Sequence, residues 1–124
     1  MFGVEGNTRR HGSAPHPRPR FSFDQLRTSL EAVYQKALTH ELTLRSIPFE
    51  PQKRLTVTYK GLDMGDYQAD VVVDNQIILE LKAISALNSA HEAQAHHYLA
   101  ATGLRLAILL NFGADSLEHR RIVK

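Results

Sequence analysis

Ala69-Asp70-Val71-Val72-Val73-Asp74-Asn75-Gln76-Ile77-Ile78-Leu79-Glu80-Leu81-Lys82 reads as two short strands joined by a polar turn. β-Branched and aliphatic runs flank Asp74-Asn75-Gln76, residues that tolerate left-handed or tightly turned backbone. Side chains alternate along a strand, so Val71, Val73, Ile77, Leu79 and Leu81 share an apolar face, while Asp70, Val72, Ile78, Glu80 and Lys82 share the other. A three-residue loop pairs Val73 with Ile77 and sets Asp70 opposite Glu80, with Lys82 one pleat further on. A two-residue turn would break that register, because a one-residue slip sends every partner to the opposite face.

Two carboxylates and a lysine on an otherwise apolar hairpin are costly to bury unless they bind something or pair. One reading is a site for a hard divalent cation: Mg²⁺ takes oxygen ligands and is commonly held by one or two carboxylates. A lysine beside it orients or deprotonates a water, or stabilises charge on a phosphate. The other reading is a surface hairpin whose charges form solvated ion pairs, worth little.

The chain has 124 residues, 43% of them hydrophobic, enough for one core and too few for two ordinary domains. It contains no cysteine, which excludes disulfides and thiolate chemistry and fits a reducing compartment, so a cytoplasmic protein is expected. No apolar run approaches the roughly 20 residues of a membrane span, and the N-terminus lacks the apolar segment of a signal peptide. The net charge of +2 is uneven: residues 1–20 hold Arg9, Arg10, Arg18 and Arg20 against Glu5 alone. The basicity thus belongs to the tail, which could add sequence-independent attraction to phosphate.

Rich in proline, glycine and arginine and without apolar periodicity, residues 1–21 are expected to be a disordered tail, leaving 22–124 as a single domain. Ser22-x-x-Gln25 is a capping box, and Leu26, Leu30, Val33, Ala37, Leu38, Leu42 and Leu44 recur at helical spacing until Pro48. One amphipathic helix over about 23–45 follows, with Glu31 at the edge of its apolar stripe. Residues 54–59 alternate at period two, and Lys60-Gly61 turns the chain into a second strand running on to Val73. After Lys82, Asn88 or Ser89 caps a second helix over about 89–101, terminated by Gly103. Residues 104–112 form a near-continuous apolar run, the pattern of a strand buried on both faces and, after a crossover helix, parallel to the third strand. The chain then ends in a basic segment, residues 120–124.

The segment His91-Glu92-Ala93-Gln94-Ala95-His96-His97 invites a zinc reading, but helical zinc pairs need histidines four apart and His91 and His96 are five apart. They are expected to be surface or supporting residues. His91, Gln94 and Tyr98 do fall near a common helix face. The sequence has no glycine-rich phosphate loop and no nucleophile elbow.

Asp70, nine residues, then Glu80-x-Lys82, with a helical glutamate upstream and a helical glutamine downstream, resembles the PD-(D/E)XK nuclease superfamily. Within it the chain is similar to the small GxxExxER proteins over about residues 26–124. The resemblance is carried by Leu30-Glu31-x-x-Tyr34, Tyr67-Gln68-Ala69-Asp70, residues 78–83, His91-x-x-Gln94, Tyr98-Leu99 and Leu110-Asn111-Phe112. It implies an α/β fold, a restriction-endonuclease-like αβββαβ core with a mixed sheet flanked by helices. In such a core Asp70, Glu80, the Leu81 carbonyl and Glu31 would hold Mg²⁺ or Mn²⁺, Lys82 would assist the water, and Gln94 would support from the second helix. The implied activity is metal-dependent phosphodiester hydrolysis of DNA or RNA. The alternative is a catalytically silent nuclease fold that binds nucleic acid or a protein partner. The chain departs from the family where a preceding helix is replaced by the Pro/Arg-rich segment 9–20, and where an acid and arginine after Tyr34 appear as Gln35-Lys36.

Overall fold

The computed structural model describes the backbone of residues 23–124 and the side chains of residues 29–124. The expected disordered tail and the Ser22-x-x-Gln25 capping box lie outside the described side chains. The element order is α1 (Phe23–Leu44), β1 (Phe49–Tyr59), β2 (Leu62–Val73), β3 (Ile77–Lys82), α2 (Ser89–Thr102), β4 (Leu106–Asn111) and β5 (Glu118–Val123). The strands form one mixed sheet in sequence order: β1, β2 and β3 antiparallel, β3 and β4 parallel, β4 and β5 antiparallel. This is the α/β arrangement expected from the sequence, with one strand more.

The central hairpin forms in the expected register, Val73 with Ile77, Val72 with Ile78 and Val71 with Leu79. Asp74 and Asn75 take left-handed backbone, φ 53° and 55°. The Gln76 N–H donates to the Val73 carbonyl across the turn at 2.9 Å. Strand alternation then divides the core into two layers. Val71, Leu79 and Leu81 pack with Leu42, Leu38 and Tyr34 of α1. Val72, Ile78, Ala107, Leu109 and Ile122 pack with Ala95 and Leu99 of α2.

Three features differ from the sequence reading. The buried side of α1 is Tyr34, Leu38 and Leu42, whereas Leu30 and Val33 are 43% and 56% exposed and Leu44 also faces solvent. Residues 26, 30, 33 and 37 form one helical stripe and 31, 34, 38 and 42 a neighbouring one about 100° round; the aromatic stripe is the one that docks. Second, β4 is buried on one face only. Ala107 and Leu109 are covered by α2 and Asn111 is buried against Ile84, Gly113 and Glu118, while Leu106, Ile108 and Leu110 are half-buried, because α1 packs chiefly over β1 to β3. Third, the basic C-terminal segment is a strand: β5 pairs with β4 from Leu106 with Val123 to Asn111 with Glu118.

The second helix begins as the sequence implies. Asn88 Oδ1 accepts the backbone N–H groups of Ala90 and His91, and His91 Nδ1 accepts the N–H of Asn88. Gly103 closes the helix in left-handed conformation, φ 79°, its N–H on the Leu99 carbonyl. Among the described residues no helix is long and apolar enough to cross a membrane.

Candidate functional site

The site forms where β2 and β3 stop pairing. Beyond Val71 and Leu79 the same register brings Asp70 to Glu80, and there a side chain replaces the ladder: Asp70 Oδ2 accepts the Leu81 N–H at 2.8 Å. In an antiparallel ladder one residue turns its N–H and its C=O toward the same neighbour, so the Leu81 carbonyl leaves β3 on the Asp70 edge. Two carboxylates and a main-chain carbonyl thus converge on one strip of backbone.

Glu80 is held from the α2 side. The Tyr67 hydroxyl donates to Glu80 Oε1, and the Asp70 backbone also hydrogen-bonds the Glu80 carboxylate. The Tyr67 ring stacks on Tyr98 of α2, with centroids 3.7 Å apart and planes 13° from parallel. Burial raises the Glu80 pKa to about 7, and the neighbouring Asp70 charge adds to the rise, against the opposing pull of Tyr67 and Lys82. Burial also raises Asp70, although the Leu81 N–H and Lys82 favour its ionised form. The two tyrosines are likewise shifted up, first by burial and then by the carboxylates. Lys82 is half-buried, and its charge acts on both acids through space.

The remaining sequence-derived residues stand further out. Glu31 is half-buried on α1, one turn before Tyr34, whose ring stacks on Phe112 with centroids 4.3 Å apart. The Phe112 N–H donates to the Lys82 carbonyl at 2.8 Å, so Glu31 lies toward the end of the sheet that carries Lys82. It belongs, however, to the helix that covers the opposite face from Glu80. Gln94 is exposed on α2, one turn before Tyr98. Among the described residues no three His, Cys, Asp or Glu side chains cluster to hold a metal ion, so Asp70 and Glu80 stand as a pair.

Tyr67, present in the sequence analysis only within the stretch Tyr67-Gln68-Ala69-Asp70, is a residue to which sequence reasoning gave no role. Strict alternation puts it with Val71 on the α1 face, yet it packs with Leu55, its register partner, in the α2 layer. The faces exchange between Phe49, which packs on the α1 side, and Leu55; between them Gln52 has φ 52° and stands at the position opposite Asp70. The available signal was Pro51, which interrupts the strand pattern and marks an edge strand or irregularity.

The donor set is all hard oxygen, which suits Mg²⁺ or Mn²⁺ and not a thiolate-preferring metal. Two half-buried acids pushed up by burial, Glu80 further by the Asp70 charge, are also what a divalent cation relieves, since its charge favours both ionised forms.

Two solved structures share the fold. The crystal structure of SSO0001 superposes with a TM-score of 0.61 at 17% identity, covering 82% of this chain and 52% of that one. An alkaline exonuclease (LHK-Exo) from Laribacter hongkongensis superposes with a TM-score of 0.52 at 13% identity, covering 86% of this chain and 61% of that one. The chain therefore spans between half and two thirds of the proteins it resembles. No curated protein matches it in sequence. A family model for the PD-(D/E)XK nuclease superfamily matches residues 26–122.

Proposed function

Because this chain belongs to the PD-(D/E)XK nuclease superfamily, we propose that it hydrolyses phosphodiester bonds in DNA or RNA with a divalent metal ion held by Asp70 and Glu80. The observation that carries the reading is the pairing of these two half-buried carboxylates beside the Leu81 backbone, with the Tyr67 hydroxyl on Glu80 and the Lys82 charge acting on both. Within the superfamily, the Leu30-Glu31-x-x-Tyr34 and Glu80-x-Lys82-Ala83 stretches favour the GxxExxER group.

Mg²⁺ or Mn²⁺ would be held by Asp70, Glu80 and the Leu81 carbonyl, and when bound it supplies a Lewis acid and an acidified water. The chain's own groups do the rest. Lys82, on the same face as Glu80, donates to the attacking water or to a phosphate oxygen on which charge gathers. Asp70, tied to the Leu81 N–H, is prevented from rotating away. Glu31 adds negative charge from α1, and Gln94 orients substrate from α2, both with weaker effect than the central three.

Purified protein incubated with Mn²⁺ or Mg²⁺ and single-stranded DNA, duplex DNA or RNA tests this, with Glu80→Gln beside it. Cleavage should need metal and fall at least about tenfold in the variant. Cleavage indifferent to Glu80 would reject the site. A second reading is a catalytically silent nuclease fold that binds nucleic acid or a protein partner. Steeply salt-dependent binding without metal-dependent cleavage would select it.

A further inference from the structure

We infer that Tyr67 is a positioning residue that fixes the Glu80 carboxylate for metal binding, and that its place is set by the Tyr98 ring and by the bend in the β1–β2 hairpin. This rests on the metal-site reading above and adds to it a residue outside the acid and lysine pattern.

A glutamate has three side-chain torsions, and an untethered one must lose that freedom each time it takes up an ion. At Glu80 the loss has already occurred. Its Oε1 is fixed by the Tyr67 hydroxyl, and the carboxylate takes a further bond from the Asp70 backbone. A carboxylate offers about four lone-pair positions, so positions remain for an ion after both bonds. Hydrogen-bonded supports of this kind orient metal ligands and commonly change affinity by ten- to a hundredfold.

Tyr67 in turn is fixed. Its ring lies against Tyr98, which projects from α2 between the fully buried Ala95 and Leu99, so β2, β3 and α2 meet through one phenol. Regular alternation would put that phenol on the far side of the sheet. The hairpin instead exchanges faces where Gln52 adopts φ 52°, and Leu55 and Tyr67 together enter the α2 layer. A ring needed only as filler would require no hydroxyl, and phenylalanine would serve.

The test is calorimetric Mn²⁺ titration of the full chain as wild type, Tyr67→Phe and Tyr98→Ala, with thermal unfolding of each in metal-free buffer. Tyr67→Phe should unfold within a few degrees of wild type, because the stack is retained, yet bind Mn²⁺ about ten- to a hundredfold more weakly. Tyr98→Ala, which releases the Tyr67 ring, should weaken Mn²⁺ in the same direction. Affinity unchanged or tighter in Tyr67→Phe would overturn the assignment. Failure of the wild type to bind Mn²⁺ would remove the metal site itself, so the two failures are distinguishable.

Discussion

Two polar clusters flank the β3–β4 pair, and they are built on opposite terms. Around Asn111, which is 0% exposed, each polar group meets its complement. Its Oδ1 accepts the N–H groups of Ile84 and Gly113, and its Nδ2 donates to the Ile84 carbonyl and to Glu118 Oε1. Glu118 also accepts the Leu87 N–H, and these bonds hold its carboxyl below the usual range. Around Asp70 and Glu80 two acids face each other, and both are pushed up. Among the described residues no buried side-chain nitrogen or oxygen lacks a hydrogen-bond partner, so the strain in the acid pair comes first from taking charge out of water, not from missing bonds. The first cluster is complete as it stands and serves the fold. In the second, both acids are pushed up from their ordinary range, a condition that added positive charge would relieve.

Breaking the complete cluster should have the largest effect. Asn111→Ala strands the Ile84 N–H and C=O in the interior and removes a donor from Glu118. It should cost about 3 kcal/mol or more in urea unfolding, since each abandoned buried group costs roughly 1–3 kcal/mol. Gly113→Ala attacks the same loop by a different route: a Cβ there would lie 2.4 Å from the Ile84 nitrogen and 2.5 Å from the Ala83 carbonyl carbon, both backbone atoms that cannot rotate aside. A cost below about 1 kcal/mol for Asn111→Ala would mean that the cluster does not anchor the loop between β3 and α2.

Breaking the incomplete cluster should change stability in the other direction. Glu80→Gln keeps an acceptor for Tyr67 and removes one of two facing charges. The metal-free protein should therefore gain about 1–3 kcal/mol at pH 8, while Mn²⁺ affinity falls at least about tenfold. Stability and binding measured on one variant thus move in opposite senses. Joint loss of both would place Glu80 in the same class as Asn111 and erase the contrast.

The contrast also explains what was legible in the sequence. The register that brings Asp70 to Glu80 follows from the three polar turn residues and the period of two, both local properties. The Asn88 cap and Gly103 stop were legible for the same reason. Residues whose place depends on distant backbone were not. Tyr67 reaches Glu80 only because of a bend at Gln52, fifteen positions earlier in the chain. Strand β5, Glu118-His119-Arg120-Arg121-Ile122-Val123, has one buried side chain, Ile122, and its pattern gave no strand signal. Its place comes from pairing with β4 and from Glu118 meeting Asn111. On α1 two apolar stripes competed, and the stack of Tyr34 on Phe112 marks the one that docks. Glu31 and Gln94 were legible as helical positions, but their reach toward the acid pair depends on tertiary placement that no spacing encodes.

The smallest effect is a difference in the sign of pH dependence, and it separates the clusters without disturbing either fold. The folded pKa of Glu80 is about 7 against an ordinary 4.5, so the folded state holds the proton more tightly than the unfolded chain does. Its contribution to stability is fully present below pH 4.5 and is lost as pH rises through 7. For Glu118 the folded value is depressed, so its contribution is present above the ordinary 4.5 and is lost as pH falls through the lower folded value. Thermal midpoints of metal-free wild type from pH 3 to 9 should therefore decline toward both ends. Glu80→Gln should flatten the alkaline side and leave the acid side, and Glu118→Gln should do the reverse with a smaller amplitude, because its carboxyl is open to solvent and screened. If both variants flattened the same side, the two acids would share one environment, and the division between a cluster whose charge is satisfied and a cluster whose charge is strained would fail.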